Sequence, residues 1–221
     1  MHLTIVAATG GIGRELLRQA LADGHDVTAV VRDPTKITEP IRVIRADLAN
    51  ADPTALESAV KGADAILSGL GARSTAEAGV AWRGTQSLID AADAMHVRRL
   101  VVVSAAPIGT VPSPARPHPP RHDPGDGLFM RQLGARFART AFRTHYADLA
   151  RMEDVVRASD LDWTISRPPK LSDKPLTGRY RTALGRNIRG GFSISRADVA
   201  HQMLHCLTQP ETIHQIVGLA Y

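Results

Sequence analysis

Residues 3 to 13 read Leu3-Thr4-Ile5-Val6-Ala7-Ala8-Thr9-Gly10-Gly11-Ile12-Gly13, and the order of residue types in that stretch decides the fold. Residues 3–7 form a short β-rich apolar run. From about residue 12 to residue 22 the apolar side chains recur at helical spacing, until Asp23-Gly24 supplies a C-terminal stop. A glycine-rich turn that joins a strand directly to a helix has a physical use. Gly10 lets the backbone approach a ligand, and Gly13 lets the helix pack close to the sheet. The unpaired first amides of the helix, at its positive dipole end, face an anion. The stretch therefore reads as a dinucleotide-binding turn in which Thr9, Gly10, Gly11, Ile12 and Gly13 meet the pyrophosphate. A tight βα turn without a ligand is the alternative. Where the motif begins with glycine this chain has Ala7, and an alanine in an ordinary backbone conformation is expected there.

Outward from the turn, β-rich runs alternate with amphipathic ones. Strands are expected at 27–31, 42–45, 65–68, 100–103, 163–166 and 213–219, and helices at about 53–60, 81–95 and 146–159. Ser195-Arg196-Ala197-Asp198 reads as a capping box opening a last helix to about residue 207. This rhythm predicts an α/β fold, a single doubly wound Rossmann-like domain over residues 1–221 with a mostly parallel sheet. The proline- and glycine-rich residues 107–127 break the rhythm and read as a loop near the substrate side, with no packed element.

The residues just past the second strand are Val31-Arg32-Asp33-Pro34-Thr35-Lys36. A guanidinium there matches a ribose 2′-phosphate, with Lys36 one turn further on, and the expected cofactor is NADP(H). Were Asp33 the ribose partner instead, the cofactor would be NAD. Two more loops face the same crevice. Asp47 and Leu48 follow the third strand near the adenine, with a turn cap as the alternative role of Asp47. Leu70 and Gly71 follow the fourth strand, and Arg73 reaches either a phosphate or solvent. Ser104 ends the fifth strand, where its hydroxyl either meets the nicotinamide carboxamide or an acceptor, or caps the strand.

Composition agrees with this reading and excludes others. The 221 residues are 43% apolar and 22% charged, ordinary for a globular domain. The net charge of +5 comes mostly from scattered arginines, and only 4% of residues are aromatic. An anionic cofactor accounts for the charge, and no nucleic-acid partner is expected, since stacking platforms are not evident. No apolar stretch approaches the roughly 20 residues of a membrane span, and no membrane association is expected. No targeting segment is recognised, and with Cys206 alone no intrachain disulfide forms, so a cytoplasmic monomer or weak homo-oligomer is expected. His201 and His205 lie four apart on a helix but lack a third ligand, so no metal is expected. Arg131, Arg136, Arg139 and Arg143 form a basic stretch that either attracts a phosphorylated acceptor or faces water.

The turn, Val31-Arg32-Asp33 and Asp47-Leu48 resemble the atypical short-chain dehydrogenase/reductases with an NAD(P)H-binding domain. Arg167-Pro168-Pro169-Lys170-Leu171, Leu176-Thr177-Gly178 and Ile194-Ser195-Arg196-Ala197-Asp198 are similar, within that family, to the NADPH flavin reductases, also called biliverdin-IXβ reductases. The resemblance implies NADPH-dependent reduction of flavins or other planar acceptors. It adds Ser104 and Pro168 to the cofactor-lining residues. It also places Lys170 where those enzymes carry a histidine near the nicotinamide, so Ser104 and Lys170 are the candidates for chemistry. The Tyr-x-x-x-Lys pair of ordinary short-chain dehydrogenases is missing, since Ala150 stands four residues after Tyr146. That departure keeps a second reading open, a non-catalytic NADP(H) sensor similar to the NmrA-like regulators. The missing pair and the small C-terminal part disfavour a third, a sugar-nucleotide epimerase.

Overall fold

The computed structural model describes residues 1–72, 74–125 and 143–221. Eight strands form one sheet. They are β1 (His2–Val6), β2 (Asp26–Val31), β3 (Arg42–Arg45), β4 (Ala65–Ser68), β5 (Arg99–Val103), β6 (Asp162–Arg167), β8 (Arg181–Leu184) and β10 (Gln215–Ala220). Their order is β3-β2-β1-β4-β5-β6-β10-β8, and every pairing is parallel except that of β10 with β8. This is the doubly wound Rossmann-like arrangement, with the chain reversing direction between β1 and β4. Short β7 (Lys170–Ser172) and β9 (Ser193–Ser195) pair separately. Strands β7, β8 and β9 are additions to the sequence reading, because these short segments are strands only through partners distant in sequence.

The helices are α1 (Gly11–Ala22), α2 (Pro53–Val60), α3 (Val80–Ala94), α4 (Arg143–Ala158) and α5 (Arg196–His205). Strand residues alternate between two cores, as their period of two requires. Val6, Val30, Ile66 and Leu100 pack with Leu56, Leu88 and Met152 of α2, α3 and α4. Leu3, Ile5, Val27, Leu67 and Val101 pack with Leu16, Val199 and Met203 of α1 and α5. Half of the expected capping box forms: Ser195 Oγ accepts from the Asp198 amide at 2.9 Å, but the Ser195 amide donates to the Tyr221 hydroxyl instead of to Asp198. Among the described residues no helix is long and apolar enough to cross a membrane.

Two expectations are corrected. Strand β1 ends at Val6, because Ala7 turns into the left-handed region at φ 56°. The described part of the proline-rich loop is also no loose excursion. Ala106–Thr110 winds into a 3₁₀ turn with Ile108 fully buried. Asp154 of α4 then accepts from the Ser113 hydroxyl and the Ala115 amide, while buried Asp123 accepts from the amides of Gly125 and Asn187. Proline removes donors, so this segment is held by side-chain carboxylates instead of a ladder.

Candidate functional site

The parallel register sets Val6 level with Val30 and Ser68, so the turns that follow β1, β2 and β4 emerge at one edge of the sheet. A cleft opens there. It spans ≈ 470 Å³, counting space open to solvent, and is lined by Ala7 and Thr9, by Val30 and Arg32, by Ala46, Asp47 and Leu48, by Leu70 and Gly71, and by Glu77 and Val80. The connections that follow β1, β2, β3 and β4 thus contribute to one crevice at the carboxyl ends of the strands, where open α/β sheets hold ligands.

The glycine turn follows directly on Ala7 and Thr9 of the cleft lining. The Gly10 amide donates to the Ala7 carbonyl at 2.8 Å, closing it. A Cβ on Gly13 would stand 2.1 Å from that carbonyl oxygen, and one on Gly69 would stand 3.0 Å from the Gly13 nitrogen. The start of α1 is therefore wedged between the first and fourth strands, with no space for a side chain. Helix α1 has no side-chain cap at Gly10 and no acidic residue in its first turn, so its opening amides are not neutralised from within the helix. The Arg196 side chain lies over Gly11 with its Cδ and guanidinium Nε, while its Nη1 donates to Asp173 at 2.6 Å. This brings a cation beside the turn that sequence reasoning assigned only to a helix cap.

Arg32 stands at the cleft, but its guanidinium already donates to Glu77 at 2.6 Å. Asp33 faces its own turn, accepting from the Thr35 hydroxyl and amide, and those bonds hold its carboxyl below the usual aspartate range. Lys36 is drawn to Asp33 at 3.6 Å and is not among the lining residues. The structure thus separates Lys36 from the cleft that holds Arg32. Asp47 lines the cleft and also accepts from the Ala49 amide, which is the turn-capping role considered for it. Arg73, Arg131, Arg136 and Arg139 lie outside the described residues.

Along the edge, the ends of β5 and β6 are joined by the Ser104 amide donating to Ser166 and the Ala106 amide donating to the Pro168 carbonyl. Ser104 is nearly buried, and its hydroxyl donates to Glu153 at 2.7 Å. Glu153, fully buried on α4, also receives two hydrogen bonds from Arg167 and one from Arg157. Burial alone would raise the Glu153 carboxyl. The Arg167 charge, hydrogen bonds from Arg167 and Ser104, and the Arg157 charge outweigh it and hold the group below the ordinary glutamate range. With its proton committed to Glu153, Ser104 offers lone pairs rather than a donor to anything on its other side. Lys170 is exposed at the start of β7.

Sequence reasoning missed His145 and Asp148, both on α4. The His145 ring carbon Cε1 would be 3.9 Å from a Cβ on Gly71, which sets the imidazole beside a lining residue. Burial lowers its pKa, and Asp148 pulls the other way. Asp148 accepts from the amides of Gly79, Ala81 and Trp82, capping α3 from a different helix. Only tertiary structure shows such a cap; attention to Tyr146 in sequence stopped one residue short of His145. Tyr146 packs against the core, and burial raises its pKa. His201 pairs through Nδ1 with the Tyr180 hydroxyl at 2.6 Å. Among the described residues no group of three or more metal-ligating side chains occurs.

Comparison with known proteins places this geometry. Residues 7–210 match the model of a family described as NAD(P)H-binding. YwnB of Bacillus subtilis, an uncharacterised protein, is 27% identical over 218 residues, covering 96% of this chain and 94% of its own. Two solved structures share the fold. ChuY, an anaerobilin reductase from Escherichia coli O157:H7, has a TM-score of 0.75 at 24% identity, covering 100% of this chain and 97% of that one. SP1627 from Streptococcus pneumoniae TIGR4, a candidate NADH-flavin reductase, has a TM-score of 0.75 at 23% identity, covering 100% and 99%. The chain, whose sheet has the Rossmann-like order, belongs to the NAD(P)H-binding family.

Proposed function

We propose that the chain is an NADP(H)-dependent oxidoreductase that passes hydride to a flavin or a similarly planar acceptor. One observation carries this reading: Ala7 and Thr9, of the turn that leads into an acid-free, uncapped helix N-terminus, line the same cleft as an arginine just past β2. The first suits a pyrophosphate and the second a 2′-phosphate.

Bound NADPH supplies the hydride. The protein's part is to hold the cofactor and to leave a face open for the acceptor. Gly11 and Gly13 belong to the uncapped helix start that offers backbone amides, Gly10 closes the turn through its own amide, and Thr9, Leu70 and Gly71 wall the crevice. Asp47 and Leu48 flank the adenine side. Ser104, fixed by Glu153, accepts from the nicotinamide carboxamide and donates no proton. Pro168 backs that position, and Lys170 lends positive charge to an acceptor becoming anionic. The proton that accompanies the hydride then comes from water or from His145. The acceptors named for ChuY and SP1627, an anaerobilin and a flavin, support an organic acceptor of that kind here.

The test is NADPH consumption followed by its absorbance with FMN, riboflavin or a quinone. Turnover with at least one supports the proposal. The missing Tyr-x-x-x-Lys pair favours a second reading, a regulatory sensor. Tight NADP(H) binding with no turnover of any acceptor would establish that reading instead.

A further inference from the structure

Arg32 and Glu77 face each other across the cleft. Arg32 follows β2, and Glu77 belongs to the short 3₁₀ turn Thr75–Glu77 ahead of α3. Both line the cleft, and their side chains meet at 2.6 Å with the arginine half exposed. The carboxylate beside Arg32 in the sequence, Asp33, is occupied by Thr35 and Lys36, and of the two acids lining the cleft, Asp47 and Glu77, it is Glu77 that takes the Arg32 guanidinium.

We infer that Arg32 and Glu77 form a two-part cofactor selector, in which Glu77 favours the unphosphorylated dinucleotide. This rests on the cleft being the adenosine site. A 2′-phosphate must take the Arg32 guanidinium from Glu77 and then sit beside a carboxylate of its own sign. A free ribose 2′-hydroxyl needs no such exchange, because it can donate to Glu77, the role an acidic side chain plays in NAD-binding Rossmann proteins. Arg32 thus draws the phosphorylated cofactor and Glu77 tempers that draw. The chain would accept both dinucleotides with a modest NADP(H) preference. The effect is small because an exposed ion pair is only weakly stabilising and is screened by salt.

The test is direct titration of the full chain with NADPH and with NADH at low ionic strength, in wild type, Glu77→Gln and Glu77→Ala. The selector predicts that Glu77→Gln tightens NADPH about three- to fivefold and leaves NADH unchanged or weaker. Glu77→Ala, which removes charge and acceptor together, should raise the NADPH/NADH preference at least as far. A merely structural role would move both dinucleotides alike. If both bind and the ratio stays within about twofold in both variants, the selector is overturned and the cofactor site stands. If wild type binds neither dinucleotide, the site itself is overturned and the selector with it.

Discussion

Ala7 holds a conformation that glycine adopts without strain, φ 56°, at the point where the chain leaves β1 for the phosphate turn. The left-handed region costs an L-residue on the order of 1 kcal/mol. Ala7→Gly removes that strain but frees the unfolded chain, so the net gain is about 0.5 kcal/mol and at most about 1. Urea unfolding measures it, and a loss of more than about 1 kcal/mol would show that the methyl packs usefully. Gly13→Ala is the opposite case. Its new methyl meets a backbone carbonyl that cannot move away, so a cost of about 2 kcal/mol or more is expected in the same assay. The glycines were legible because only glycine fits such contacts and they follow a strand directly. The φ of Ala7 was not, since residue type alone argued for ordinary backbone there.

At the scale of elements, Asp148 joins two helices that sequence treats separately. Its carboxylate takes three amides at the start of α3 and so ends the connection that carries Leu70, Gly71 and Glu77. Asp148→Ala leaves those amides without their acceptor and is expected to cost about 2–3 kcal/mol of stability, with Asp148→Asn milder. A variant unfolding at the wild-type denaturant midpoint would exclude the cap as a stabilising contact. Helices α1, α2, α3 and α4 were readable from apolar spacing to within a few residues, because each buries one face. Strands β7, β8 and β9 were not readable, and neither was the anchoring of the proline-rich segment. Both depend on partners distant in sequence, such as Asp154 and Asn187.

For the whole molecule, the buried Glu153–Arg167 pair ties α4 to β6 and fixes Ser104 between them. The folded pKa of Glu153 lies below its unfolded value of about 4.3. Its contribution is therefore complete above that pH and is lost as the pH falls through the folded value. Thermal unfolding temperature should drop on acidification below about pH 4.5. Glu153→Gln should flatten that part of the profile and lower stability at pH 7 by about 3–5 kcal/mol, since Arg167 is left buried and underpaired. The candidate site divides in the same way between sequence and structure. Thr9, Arg32, Asp47, Leu48, Leu70 and Gly71 were identified because each follows a strand whose end faces the crevice, and the structure brings them together. Glu77, His145 and the commitment of Ser104 to Glu153 depend on contacts between elements 45 or more residues apart, which no local pattern records. The central claim is that this cleft holds a phosphorylated dinucleotide through Arg32. Calorimetric titration of wild type and Arg32→Ala with NADPH and NADH tests it most directly. The account predicts that the variant loses NADPH affinity about ten- to hundredfold, or about 1.5–3 kcal/mol, and keeps NADH affinity. Equal loss of both cofactors, or no change in either, would contradict it.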